Sequence, residues 1–243
     1  MRQFELGREE VYPASAEVWA FKKVNDYIHG LNLRLCNMAG DFPFVANGLA
    51  WPDSERMYLC GEFSLPTAQH ETAQRALLAA HCGYQAKRFV KGKYRSIIRT
   101  DFRDFRLQWM FYVVWQKCKG NADFRDLLTS VPEHVTLVEN TTTDSGGTAE
   151  IWGCKNRELT AARKALEQEL TERLAGEAKK ERERLINVET NKLDNVGEWR
   201  GQNNIGKILM MCRDCIVAGS EPEIDYDLLR RSDIHILGQK LTF

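Results

Sequence analysis

Between Phe105 and Cys118 the chain is apolar on nearly every side of a helix: Phe105, Leu107, Trp109, Met110, Phe111, Tyr112, Val113, Val114 and Trp115 leave no stripe for water. A helix of that kind is stable only when other elements surround it, so it belongs at the centre of a core. No run in the chain approaches the roughly 20 apolar residues that a membrane span needs. The first ten residues, Met1-Arg-Gln-Phe-Glu-Leu-Gly-Arg-Glu-Glu10, also lack the apolar segment of an export signal. A cytoplasmic location without membrane contact is therefore expected. At 243 residues there is room for one domain carrying a sizeable insertion.

Around the central helix, periodicity predicts the remaining elements. Val18, Phe21, Val24, Tyr27, Ile28 and Leu31 have helical spacing, which predicts an opening helix within 14–38 that ends near Gly30. The Gly-, Pro- and Asn-containing segment 40–51 reads as turns and short extended pieces. A helix follows from Ser54 toward Phe63, capped by Asp53 or Ser54, with Glu55 in its first turn. Ala73, Ala76, Leu77 and Ala80 predict another helix over 67–82, stopped by Gly83, and a short helix covers 122–129. Val135 to Val138 is the clearest strand, and Ile234, Ile236 and Leu237 can add a strand or cap at the end.

From 155 to 198 the character changes. Leu159, Ala162, Leu166, Leu170 and Leu174 recur amid dense Glu, Lys and Arg, with a break near Gly176. This predicts an amphipathic helix or helical hairpin exposed on one side, a surface that a protein partner can use. The expected fold class is α+β: a predominantly helical single domain over 1–243 with a few short strands, plus a helical insertion at 157–198.

Charge and cysteines exclude several functions. Lys plus Arg and Asp plus Glu both number 34, so no global field draws the protein to nucleic acid or an anionic membrane. Any polyanion site must be local, and the basic segment 85–103 is the candidate, with Lys87, Arg88, Lys91, Lys93, Arg95, Arg99 and Arg103. It is either a solvated helix face or a phosphate-binding edge. The seven cysteines are scattered through helical segments and read as reduced thiols, Cys212 and Cys215 lying near one buried helix face. The five histidines form no ligand pair, so neither a metal site nor a cofactor is expected.

Four blocks carry the chemistry: Trp51-Pro-Asp-Ser-Glu55-Arg-Met-Tyr58, Leu137-Val-Glu139, Trp152-Gly153, and Gly201-Gln-Asn203-Asn-Ile-Gly206-Lys-Ile-Leu-Met210-Met-Cys-Arg213. On residue type alone each has a plain structural use. A first-turn glutamate complements the helix dipole, a strand-end carboxylate is solvated, a tryptophan can plug a core, and glycines permit close packing. In order and local spacing, however, the blocks resemble the NADAR family, N-glycosidases acting on ribosylated or ADP-ribosylated nitrogen bases.

That resemblance implies an enzyme in which Glu55 is the essential carboxylate and Glu139 a second one. It further implies that Trp51, Arg56, Asp144, Trp152, Gly153 and Asn203 bind substrate. The chain departs from the family at two site positions, where Arg56 stands in place of His and Glu62 in place of Lys; the family's tryptophan before the core helix is also displaced, to Phe102, Arg103 or Phe105, and its Phe-Ser-Asn-Phe-like loop is only loosely echoed by Asp41-Phe42-Pro43-Phe44. With Glu62 inverting the charge, either Lys87, Lys91 or Lys93 supplies the amine from another segment or the chain works differently from the family. The implied partner is a nucleotide-like substrate with an ADP-ribose moiety. Guanine ADP-ribosylated in nucleic acid, the target of an antidote to ADP-ribosylating toxins, suits the basic segment. Phosphorylated ribosylamino-pyrimidine intermediates of the riboflavin pathway are the alternative substrate, and a non-catalytic ADP-ribose-binding module is the alternative role.

Overall fold

The computed structural model describes residues 4–22, 24, 27–28, 30–145, 147–190, 192–193 and 195–243. In chain order the strands are β1 (Glu10–Pro13), β2 (Val18–Phe21), β3 (Tyr27–Ile28), β4 (Leu31–Asn32), β5 (Phe44–Ala46), β6 (Leu49–Trp51), β7 (Thr136–Glu139), β8 (Glu198–Gly201), β9 (His235–Ile236) and β10 (Gln239–Lys240). The helices are α1 (Ser54–Glu62), α2 (Ala68–Leu78), α3 (Phe102–Gly120), α4 (Ala122–Ser130), α5 (Ala149–Trp152), α6 (Arg157–Arg173), α7 (Lys179–Thr190), α8 (Asn204–Ala218) and α9 (Tyr226–Arg231). Helix dominates and the strands only pair, two by two, so the fold class is α+β as expected. The chain forms two compact units: Met1–Phe4, Lys23–Glu133 and Ile208–Phe243 in one, Glu5–Lys22 and His134–Lys207 in the other.

In the first unit α3 is the core helix. Trp109, Met110, Phe111, Val113 and Val114 are buried around its circumference. Helix α1 packs so closely on it that a methyl group at Gly61 would lie 2.2 Å from the Trp109 ring nitrogen, which itself donates to the Tyr58 carbonyl at 3.0 Å. Strands β5 and β6 form a hairpin through Asn47 and Gly48, both at positive φ (54° and 73°), the geometry of a type I′ turn. Gln74 on α2 donates to the carbonyls of Phe63 and His235, and its oxygen accepts from the Leu237 amide, tying the β9–β10 hairpin to α1 and α2. Helix α2 ends at Leu78, and Gly83 opens the next helical segment, so the expected stop at Gly83 is a start instead.

In the second unit β2 runs parallel to β7, pairing Val18 with Thr136 through Phe21 with Glu139, and β1 is antiparallel to β8. The predicted opening helix over 14–38 is therefore wrong. Trp19 and Phe21 are buried while Val18 and Ala20 are half-buried, an alternation of period two that the spacing Val18–Phe21–Val24 concealed. In the first unit, β3 and β4 form a short antiparallel pair, while residues 23, 25, 26 and 29 of the expected helix lie outside the described ones. Val138, Cys154, Leu159 and Trp199 make a small core with Tyr12, Val18, Leu193 and Val196 against it. The segment 157–198 holds α6 and α7, separated around Gly176 as its sequence indicates. Asn156 caps α6 by accepting from the Leu159 amide at 2.8 Å and donates to the Val196 carbonyl.

Candidate active site

Helix α1 starts where its sequence says it should. The Asp53 carboxylate accepts from the Arg56 amide at 2.8 Å, and its other oxygen takes the Arg56 Nε at 2.8 Å. The same guanidinium donates to the carbonyls of Ala80 and Leu78, so it clamps the start of α1 to the end of α2. Burial pushes the Asp53 carboxyl up, and the Arg56 charge opposes that shift. Arg56 is 7% exposed, and its guanidinium braces the start of α1. Trp51 meets the same fate: it is 1% exposed, with its indole nitrogen on the Ala46 carbonyl at 3.2 Å. Both residues hold Glu55 in place.

The frame leaves two carboxylates on one face of α1. Glu55 and Glu62 are seven residues apart, two helical turns or about 10.5 Å along the axis. Both side chains are buried, and each meets a lysine from one neighbouring segment. Lys87 Nζ lies 3.3 Å from Glu55 Oε1, and Lys91 Nζ lies 2.6 Å from Glu62 Oε1. That segment, Gly83 to Ile97, is helical but irregular, with a π turn over Ala86–Val90 between two short α turns. Insertions of that kind recur at functional sites because they re-aim side chains. Here the four-residue step puts Lys87 and Lys91 on the face toward α1.

Glu62 is the residue that sequence reasoning treated only as a missing lysine. Its second oxygen, Oε2, is buried without a hydrogen-bond partner among the described residues. Burial raises its carboxyl above the usual range, Lys91 opposes the rise, and the Glu55 charge adds to it. Tyr58, one turn beyond Glu55, is buried with its ring 5.4 Å from Phe102, and burial lifts its phenol as well. The cluster thus offers two carboxylates and two amines at the foot of a basic segment. Lys93, the third amine the resemblance points to, faces outward over the Tyr94 ring at 5.3 Å.

A second group of expected site residues lies in the other unit. Asn203 is wholly buried at φ 49°, its Nδ2 donating to the Leu137 carbonyl at 2.8 Å and its Oδ1 accepting from the Glu139 amide at 3.1 Å. This side chain acts as an extra strand edge along β7. Gly153 is equally structural: a methyl group there would lie 2.3 Å from the Glu139 carbonyl. At Gly206 the corresponding distance is 2.2 Å to the Leu137 carbonyl, so α8 starts in direct backbone contact with β7. Glu139 ends β7 half-buried, and Trp152 ends α5 half-buried. Asp144 sits at the surface in an ion pair with Lys22 at 2.8 Å.

Two neighbours of Asn203 escaped the sequence reading. Asn204 accepts from the Gly7 amide and donates to the Ile151 carbonyl. Lys207, fully buried, pairs with Glu10 at 2.9 Å and donates to the carbonyls of Glu5 and Arg8. Neither residue type at its spacing signals such a role, because the partners lie 53 to 202 residues away. A cavity of about 350 Å³ opens in this unit among Glu150, Lys155, Arg157, Glu158, Glu198 and Arg200. Its opposite charges largely answer one another, as in the Lys155–Glu150 and Arg157–Glu150 contacts, and none of the expected site residues lines it. Among the described residues, no helix is long and apolar enough to cross a membrane, and all seven cysteines are free.

No protein-family profile matches the chain, and no curated protein matches it. Among solved structures, the NMR structure of the E. coli protein YbiA superposes with a TM-score of 0.51, covering 84% of this chain and 87% of that one at 18% identity. At that identity the likeness speaks for architecture alone: the chain has a YbiA-like α+β fold.

Proposed function

We propose that the protein is an N-glycosidase that hydrolyses the N-glycosidic bond of a nucleotide-like substrate, with ADP-ribosylated guanine in nucleic acid as the preferred class. The observation that carries this reading is the buried Glu55 carboxylate with Lys87 beside it, repeated one step along by Glu62 and Lys91. Breaking a sugar–nitrogen bond builds positive charge at the anomeric carbon while electrons move onto the departing base. A preorganised, desolvated carboxylate stabilises that charge, and water then adds to the sugar as a proton passes to the base. Glu55 is suited to the first task because it is nearly excluded from solvent on a helix fixed by the Asp53–Arg56 clamp. The amines of Lys87 and Lys91 suit phosphate or ribose oxygens, or attack on the sugar as nucleophiles. The resemblance of the four sequence blocks to the NADAR family and the YbiA-like architecture point the same way, and a cytoplasmic location agrees with that reading.

A second reading has its own support. Because Glu62 stands where the family has Lys, the cluster can hold an ADP-ribose moiety without cleaving it. Incubation with ADP-ribosylated DNA and, separately, with a phosphoribosylamino-pyrimidine, followed by mass analysis, decides between them. Free ADP-ribose with restored strand from the DNA, or free ribose phosphate with released pyrimidine from the other substrate, appearing with turnover, supports the enzyme and names its substrate. Saturable binding with no product supports the binding module.

A further inference from the structure

The outer face of the segment 83–95 carries features that the Glu55–Glu62 cluster does not use. From Thr72 to Thr100 the chain contains no Asp or Glu, while Lys87, Arg88, Lys91, Lys93, Arg95 and Arg99 crowd its second half. Lys87, Lys91 and Arg99 answer Glu55, Glu62 and Asp101. Arg88, Lys93 and Arg95 are exposed, with no carboxylate paired to them among the described residues. Between these charges stand two large rings in water: Phe89 is 62% exposed and Tyr84 47%. The Arg88 guanidinium lies 5.7 Å from the centroid of each ring and donates to the Tyr84 hydroxyl. The segment already buries Gly83 and Ala86 on its inner side, so the rings belong to the side that faces solvent.

Two exposed rings joined by a guanidinium offer flat faces to anything planar, and three unanswered cations offer a path for a polyanion. A duplex hides its base faces, and an acidic peptide would use the cations but leave the rings wet. Unpaired bases with their phosphates use both. We propose that Tyr84, Arg88 and Phe89, with Lys93 and Arg95, form a docking platform for single-stranded nucleic acid. The bases stack on the two rings and the phosphates run along the cations. The platform gains its purpose from the N-glycosidase reading, because Lys87 of the same turn carries its amine to Glu55, yet docking is measurable without any turnover.

The test is fluorescence anisotropy of the full chain with a labelled, unmodified single-stranded oligonucleotide of about twelve nucleotides, a length one such platform can cover. The wild type is expected to bind saturably. Phe89→Ala and Tyr84→Ala should each weaken binding about tenfold, and Phe89→Trp should preserve it. Replacing Arg88, Lys93 and Arg95 by Gln should flatten the dependence of log K on log salt by about 0.7 for each cation removed. Phe89→Ala should leave hydrolysis of a mononucleotide-sized substrate unchanged, since that ring is outside the carboxylate cluster. Unchanged binding by the ring variants, or displacement by duplex or polyglutamate as effective as by single strand, overturns the platform. Docking lost with turnover intact removes only the platform, and docking intact with no turnover on any substrate removes only the N-glycosidase.

Discussion

Glu55 shows how much a single side chain depends on its surroundings for its meaning. In the first turn of a helix a glutamate ordinarily complements the dipole in water, but here it is 4% exposed and stands beside Lys87. Glu55→Gln keeps the shape and removes the charge, so it should lower turnover by on the order of a hundredfold or more while the protein still unfolds cooperatively. Steady-state rates beside a thermal melt check both halves. Lys87→Met and Lys91→Met then separate two roles: a higher KM marks a phosphate binder, and a lower kcat marks a group acting on the reacting sugar. The position of Glu55 was legible because cap, first turn and block agree in sequence. That the Ala80 carbonyl holds Arg56 and the Leu137 carbonyl holds Asn203 was not, because those partners lie 24 and 66 residues away in sequence.

A second residue sets a pH dependence. Lys117 is buried against Phe42 and Phe124, its Nζ 4.1 Å from the Phe124 centroid and without a hydrogen-bond partner among the described residues. Burial pulls its amine down from 10.5 to about 8. The folded state therefore binds this proton less tightly than the unfolded chain, and the cost of burying the charge is fully present below about 8. That cost disappears as the pH rises from about 8 through 10.5. Lys117→Met should accordingly be more stable than the wild type at neutral pH, with the advantage shrinking over that interval. Denaturant melts at pH 7 and pH 10 measure it, and an advantage that does not change with pH would contradict the assignment.

Among elements, the central helix was the most legible because an all-round apolar surface allows one placement only, and α3 occupies it. The short strands were the least legible. Val18 to Phe21 fits both periods, and four residues give too little length to choose without the partner β7. The β5–β6 hairpin did carry a readable signal in Asn47-Gly48, the dipeptide of a type I′ turn. The helical pair α6–α7 invites a deletion whose limits the structure sets. Leu159 belongs to the core with Val138 and Trp199, whereas α7 has no buried residue and α6 buries only Leu170 besides Leu159. The Arg163 guanidinium reaches the Leu193 carbonyl at 3.4 Å, so a short Gly-Ser linker in place of 164–191 can join ends that already meet. That variant should keep its cooperative melt, since closing such a loop costs little. Removing Leu159 as well should cost about 2–5 kcal/mol. Gly206→Ala should be severe for another reason, because the new methyl would meet the rigid Leu137 carbonyl.

For the whole molecule, equal numbers of acids and bases hide a strongly uneven distribution. The acid-free stretch from Thr72 to Thr100 concentrates positive charge next to the only carboxylates that α1 buries. Charge balance alone argued against a polyanionic substrate, and the local pattern argues for one. The reaction proposed for this cluster is the breaking of a sugar–nitrogen bond. It is tested most directly by mass-resolved product analysis after incubating wild type and Glu55→Gln with ADP-ribosylated DNA. Release of unmodified guanine-containing strand and free ADP-ribose by the wild type, with at least a hundredfold less from the variant, is the predicted result. Equal product from both proteins would take Glu55 out of the chemistry, and no product from the wild type on this or the ribosylamino-pyrimidine substrate would contradict the claim.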